Sequence, residues 1–142
     1  MQEEKKATAG VIKNASVVSW QQFFNMAGTS SDSGFGVVLP ADKLSKALSD
    51  AGLSKDKTIV LYSDGQKEWG EDGRIFWMLQ GSGYTNIKIL DGGYSYWKAQ
   101  GGETTSEIKK SEAVDVKVDN LDKLKTIDTV TLEKRLKRSS NY

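Results

Sequence analysis

An α/β fold is predicted for this chain of 142 residues, on the strength of two stretches. The first, Thr58-Ile59-Val60-Leu61-Tyr62, is a β-branched and aliphatic run with no polar alternation. That is the pattern of a parallel strand covered on both faces, with Tyr62 marking its carboxyl end. In the second, Arg74-Ile75-Phe76-Trp77-Met78-Leu79-Gln80, the side chains of Ile75, Met78 and Leu79 fall on one helical face, and Gly81 and Gly83 stop the helix. Ile87-Lys88-Ile89-Leu90 then forms another short strand, and Asp91-Gly92-Gly93 turns it into Tyr94-Ser95-Tyr96-Trp97-Lys98. Strand, loop, helix, strand is the unit of an α/β fold, and ligands in such folds sit beyond the carboxyl ends of the strands. The loop after Tyr62 is therefore where function is sought first.

The remaining elements follow in chain order. Residues through about Thr8 are charged and expected to fray. The segment from Gly10 to Val18 reads as a short edge strand leading into a buried aromatic turn, Trp20-Gln21-Gln22-Phe23-Phe24-Asn25-Met26. Ala27 to Gly36 is rich in Ser and Gly and reads as a surface loop. Leu39-Pro40-Ala41-Asp42 opens a helix, with Pro where its missing N–H costs nothing and Asp42 near the positive end of the dipole. Its buried stripe is Leu44, Ala47, Leu48 and Ala51, and Gly52 caps it. Beyond Gly101-Gly102 the composition turns polar, so residues 1–102 are expected to form the domain and 103–142 a connector with a short terminal helix. Ala113-Val114-Asp115-Val116-Lys117-Val118 alternates with period two and reads as a half-exposed strand or an extended linker. Leu132 and Leu136, four apart, make a short amphipathic helix whose basic end suits a helix C-terminus.

Composition narrows the function classes. A formal net charge of +1 gives no reason to expect nucleic acid or an anionic membrane as partner. No segment approaches the ~20 apolar residues of a membrane span, and Met1-Gln2-Glu3-Glu4-Lys5-Lys6 is not followed by the apolar core of a signal peptide. The expectation is a soluble chain whose compartment is not specified. The sequence contains neither cysteine nor histidine. That excludes disulfides, thiolate or imidazole metal sites, cysteine nucleophiles and histidine general bases within it. No cofactor or metal is expected.

Val60-Leu61-Tyr62, the helix from Arg74 to Leu79, Gly83-Tyr84-Thr85-Asn86-Ile87 and Leu90-Asp91-Gly92-Gly93 with Trp97 together resemble the rhodanese homology domain. Within that family the chain is most similar to the first, non-catalytic module of tandem thiosulfate/3-mercaptopyruvate sulfurtransferases, over roughly Gly10 to Gly102. The resemblance implies a three-layer domain with a mainly parallel central sheet flanked by helices. Val11 stands where the family usually has His in its Gly-His-Ile-x-Gly-Ala signature, and Asn14 where it usually has Gly. The family also has an aliphatic strand ending in Asp-x-Arg ahead of Gly10, inside the sheet, and nothing before Gly10 can supply it. Three outcomes are open: Lys125-Thr126-Ile127-Asp128-Thr129 fills the gap, giving a permuted strand order; a partner chain or neighbouring module fills it; or the sheet is shifted and incomplete, without that strand. The segment after Gly102 resembles the connector between two modules.

A strand feeding a glycine-bearing loop and then a helix N-terminus points backbone N–H groups at one spot, an anion cradle. The resemblance implies that active members hold a persulfide there, on a cysteine directly after the strand. Here that position is Ser63. A serine hydroxyl cannot carry a persulfide and is not ionised near pH 7 without a base. The loop's acids, Asp64, Glu68, Glu71 and Asp72, also outnumber Lys67 and Arg74 and would repel thiosulfate. Ser63, Asp64, Gly65, Gln66, Lys67, Glu68 and Arg74 thus read as a vestigial active-site loop. Within it, Ser63-Asp64-Gly65 is expected to form a tight turn and Arg74 to pair with a loop acid. Trp77 is expected to be either core or an interface anchor, and Trp69, among acids in mid-loop, either loop packing or a docking residue. Three functions are consistent with these residues. One is a catalytically inactive structural or docking module for a catalytic rhodanese module in the same or another chain. The second is a sulfurtransferase domain with Ser63 at the persulfide-forming position, and the third a stand-alone protein-binding module.

Overall fold

A computed structural model describes residues 10–64 and 68–139. In chain order the elements are β1 (Val11–Ile12), a 3-10 turn (Trp20–Phe23), α1 (Ala41–Asp50), β2 (Ile59–Leu61), α2 (Glu71–Gly81), β3 (Ile87–Ile89), α3 (Gly93–Ala99), β4 (Thr104–Thr105) and α4 (Thr129–Ser139). The α/β unit is present as read: β2 and β3 pair in parallel, with Ile59 opposite Ile87 and Leu61 opposite Ile89, and α2 connects them. The edge strand near Val11 is also present, paired antiparallel with β4, so that Val11 faces Thr105.

Helix α1 buries Leu44 and Leu48 completely, and α2 buries Met78 and Leu79. Phe23 of the 3-10 turn is the fifth fully buried large side chain, and Leu61, Ile75, Phe24 and Tyr84 join the same cluster. These are the apolar positions of the two helical stripes and the aromatic turn, so the periodicity of the sequence is what assembles the core. The Tyr84 hydroxyl donates to the Leu53 carbonyl at 2.5 Å, tying the turn after α2 to the end of α1. Asp91-Gly92-Gly93 makes the sharp turn expected of it through two glycines with positive φ, +75° and +59°. A Cβ at Gly92 would also strike the Tyr96 ring, so both conformation and space demand glycine.

The segment from Ser111 to Leu124 wraps the helical side of the domain. Val116 and Val118 are buried in the core cluster, while Asp115 and Lys117, which alternate with them, are exposed. Its backbone pairs with a helix, however, and not with a strand. Val114 N–H donates to the Ser49 carbonyl at 3.0 Å, Val116 N–H to Ser49 Oγ at 3.0 Å and Val118 N–H to Ser45 Oγ at 2.9 Å. Ser45 and Ser49, one helical turn apart on α1, therefore do for this segment what a neighbouring strand would do in a sheet. Leu124 closes the wrap against Gly81 at the end of α2, where a Cβ would collide with it.

Two expectations are corrected, the covering of the Ile59 strand and the filler for the missing one. The strand at Ile59 is not covered on both faces: Leu61 is buried but Val60 is 55% exposed, because only the Ile59 and Leu61 side packs toward α2. The strand order is incomplete, one of the outcomes expected: the described sheets are two separate two-stranded pairs, so β2 has a strand on one edge only. Nor does Lys125-Thr126-Ile127-Asp128-Thr129 supply the absent one. Residues 125–128 form no strand, Ile127 is 42% exposed, and Asp128 instead caps α4 by accepting from Thr131 N–H at 2.8 Å. A capping bond made within one turn is satisfied locally, whereas a lone apolar residue gives a strand little to bury.

Ser45 and Ser49 yield a direct test of the wrap. Replacing either with alanine leaves the N–H of Val118 or Val116 without its acceptor in a partly buried site, at about 1–3 kcal/mol each. Urea midpoints of the two single variants should both fall, and a midpoint equal to the parent's in either would show that the segment is not held this way.

Candidate functional site

The loop after β2 is built from its two ends. At the first, Ser63 follows Tyr62 beyond the carboxyl end of the strand and is only 8% exposed. Its carbonyl accepts Tyr94 N–H at 2.9 Å, and its Oγ is buried with no hydrogen-bond partner among the described residues. Asp64 then accepts a hydrogen bond from Ser95 Oγ, so both residues at this end are fastened to the start of α3. The Tyr62 ring stacks on Tyr94 with centroids 6.4 Å apart, and its hydroxyl accepts Ile12 N–H at 3.1 Å. Tyr62 thereby connects β2 to the β1–β4 pair. Burial pushes the Tyr62 hydroxyl pKa up from 10.0; the bond from Ile12 opposes this and the neighbouring Tyr94 adds to it.

At the second end, α2 begins at Glu71, three residues earlier than Arg74, with Gly70 in the left-handed region at φ +81°. The carboxylates of the loop accept the N–H groups that an anion would need. Asp64 N–H donates to Glu68 Oε2 at 2.9 Å, Trp69 N–H to Glu71 Oε2 at 3.0 Å and Gly73 N–H to Asp72 Oδ1 at 2.8 Å. These N–H groups are satisfied by Glu68, Glu71 and Asp72, while Asp64 accepts from Ser95, and the tight turn expected at Ser63-Asp64-Gly65 reaches outside the described residues. Gly65, Gln66 and Lys67 lie outside the described residues.

Arg74 is corrected. Among the described residues it pairs with no loop acid. Its guanidinium carbon lies 4.3 Å from the Trp20 ring centroid and 4.2 Å from that of Phe24, and Nη2 donates to the Gly36 carbonyl at 2.8 Å. Arg74 thus ties α2 to the aromatic turn and to the Ser- and Gly-rich loop, using its planar cation against ring faces. Neither tryptophan singled out in the sequence is core: Trp77 is 36% exposed and Trp69 98%. Sequence reasoning missed Tyr94, Ser95, Trp20 and Phe24 as neighbours of this loop. The Tyr-Ser-Tyr-Trp run at α3 held a signal for the first two, since polar and aromatic residues follow the turn where the loop must land.

A family model described as the rhodanese-like domain matches residues 4–100. The chain belongs to the rhodanese-like domain family. A putative thiosulfate sulfurtransferase of Synechococcus elongatus is 36% identical over 72 residues, covering 51% of this chain and 22% of the relative. The sulfur carrier protein TtuD of Thermus thermophilus is 26% identical over 99 residues, 70% of this chain and 32% of the relative. The crystal structure of YnjE superimposes with a TM-score of 0.58 at 17% identity, over 80% of this chain and 24% of that one, a likeness of fold alone. This rhodanese-like chain thus spans less than a third of these relatives' lengths. Among its described residues, no helix is long and apolar enough to cross a membrane, and no group of three or more acidic residues could hold a metal ion.

Two predictions follow from this geometry. Trp77→Ala should cost about 1 kcal/mol of stability, well below the ~3–5 kcal/mol of a core tryptophan, and urea midpoints of the isolated chain measure it. The raised pKa of Tyr62 means its protonated form is favoured by folding. Its contribution is complete below the unfolded value of 10.0 and is lost as pH rises through the folded value. Tyr84, also raised by burial, acts with the same sign. Stability should be flat across neutral pH and fall above about pH 10, and Tyr62→Phe should make that alkaline fall shallower without removing it.

Proposed function

We propose that this chain is a rhodanese-like module that transfers no sulfur itself and serves a sulfurtransferase as a structural or docking module. The observation that carries the reading is the state of Ser63, two residues beyond β2. It is a serine whose oxygen is buried, in a chain without cysteine, so no thiolate there can attack the outer sulfur of a donor, displace its leaving group and keep the sulfur as a persulfide. The loop acids strengthen it, because their carboxylates already hold the N–H groups of Asp64, Trp69 and Gly73. A thiosulfate anion would have to displace them and would meet their negative charge.

The docking partner in this reading is a catalytic rhodanese module, in the same or another chain. Relatives named putative thiosulfate sulfurtransferase and sulfur carrier protein support a setting in sulfur transfer, and the small share of them that this chain spans supports a neighbouring module. Trp69 and Trp77 are the contact residues. Both are large, exposed aromatics near the loop, the residue type that most often anchors protein interfaces.

The purified chain, given thiosulfate or 3-mercaptopyruvate with cyanide, should form no thiocyanate above a buffer blank. Ser63→Cys should add little, and its thiol should titrate at or above the ~8.5 of free cysteine, since burial and acidic neighbours both favour the neutral form. Turnover by the parent chain, or a variant thiol well below that value together with turnover, overturns the reading. Binding to a catalytic rhodanese module should weaken at least about tenfold in Trp69→Ala if this docking surface is correct.

A further inference from the structure

The segment between β4 and the wrap forms a strap over the end of α1. It lands at Ser111 and Glu112, whose backbone passes so close to Gly52 that a Cβ there would strike the Glu112 carbonyl. Gly52 also has a positive φ, +70°, so both conformation and space call for glycine at this landing. Ahead of it, residues 106–110 make one hydrogen bond among the described residues, from Glu107 N–H to Thr105 Oγ1 at 3.0 Å. The strap is thus fastened at its two ends and free of the domain between them.

Beside the strap lies a cavity of about 660 Å³, within the ~300–1,000 Å³ of small-molecule sites. Ala47 and Ala51, one helical turn apart at the end of α1, line it together with Val17 and Val18, and Ile108 lines it from the strap. Two methyl side chains on the helix leave room that longer ones would fill. The charges at the rim leave one sign unbalanced. Lys109 and Lys110 line the cavity and pair with nothing among the described residues. Asp50 is the one acid lining it, and its carboxylate already holds Lys46 at 2.8 Å. The carbonyls at the end of α1 are taken as well, since those of Ala47, Leu48 and Ser49 accept from the N–H groups of Ala51, Leu53 and Gly52. The cavity on the other side of the strap, about 520 Å³, shares Ile108 and Lys109 but is otherwise lined by polar residues, and its Lys13 is paired with Glu103 at 3.1 Å. Apolar lining and unpaired cations therefore coincide in the first cavity alone of these two.

We propose that the groove beside the strap binds a small amphipathic carboxylate, with its hydrocarbon body on Val17, Val18, Ala47, Ala51 and Ile108 and its head group at Lys109 and Lys110. Burial of the hydrocarbon supplies the affinity, and the two lysines select the sign of the head group. None of these residues belongs to the loop after β2, so the site is independent of the sulfur-transfer reading.

Alkyl chains of one length with different head groups provide the test. Octanoate, octan-1-ol and octylammonium are titrated into the full chain, below the concentrations at which they aggregate, while backbone amide shifts are followed by NMR. Octanoate should give saturable shifts centred on residues 17, 18, 47, 51 and 108–110 and bind at least about threefold more tightly than the alcohol, with the ammonium weakest. Hexanoate should bind about fivefold more weakly than octanoate, since each buried CH₂ contributes up to about fourfold. Lys109→Gln with Lys110→Gln should bring octanoate down to the level of octan-1-ol. Val17→Asp should weaken octanoate at least about tenfold at an unchanged urea midpoint. Ile108→Asp, on the strap and likewise outside the core cluster, should weaken it in the same way and serves as the measure where the first change lowers the midpoint. Shifts that never saturate, that centre on other residues or that are equal for the three head groups overturn the proposal, as does octanoate binding that survives both aspartate changes.

Discussion

The fold rests on the seam where α1, α2 and the aromatic turn meet. Phe23, Leu44, Leu48, Met78 and Leu79 are the five large side chains with no exposure, and all five lie on helical or 3-10 elements. The β-structure is too short to take this role, since β2 and β3 have three residues each and the β1–β4 pair two. Burying one such side chain contributes about 1.5–3 kcal/mol, a large share of a domain's net stability of ~5–15 kcal/mol. The parallel strands are held in place by the helices that flank them more than they hold the helices.

That dependence explains the wrap by residues 111–124. An α/β layer with one sheet face uncovered has less apolar area to bury than a closed three-layer domain. Val116 and Val118 return part of it by packing over α1. The hydroxyls of Ser45 and Ser49 accept the N–H groups that an extended chain on a helix would otherwise leave unsatisfied. Helix α1 therefore has two sides in use, leucines toward the core cluster and serines toward the wrap.

The loop after β2 keeps the strand, loop and helix N-terminus of an anion cradle but turns its donors inward. Strand, loop and helix N-terminus keep the positions that would converge on an anion. The N–H groups are nonetheless bonded to Glu68, Glu71 and Asp72, and the one hydroxyl is enclosed. Arg74, the cation nearest the helix start, is held between Trp20 and Phe24 and donates to Gly36. Its charge serves packing between elements distant in sequence, which is why the first turn of α2 remains acidic.

By itself the sequence determined the α/β unit, the helical stripes of α1 and α2, the glycine turn at Gly92-Gly93 and the alternation of Val114, Val116 and Val118. Each is a periodicity or a backbone requirement written in neighbouring residues. It also determined, through the absence of cysteine and histidine, that the loop holds no thiol or imidazole of this chain. Tertiary structure alone decided what those faces meet. The valine alternation is the same whether a strand or a helix lies beneath it, so only the fold could show that Ser45 and Ser49 take the place of a strand. Whether Arg74 would pair with an acid or stack on rings depended on the distance to Trp20 and Phe24, some fifty residues away, which no local pattern encodes. The exposure of Val60 and Trp77 was hidden for the same reason: an apolar residue announces that it can be buried, and only the assembled layers determine whether anything covers it.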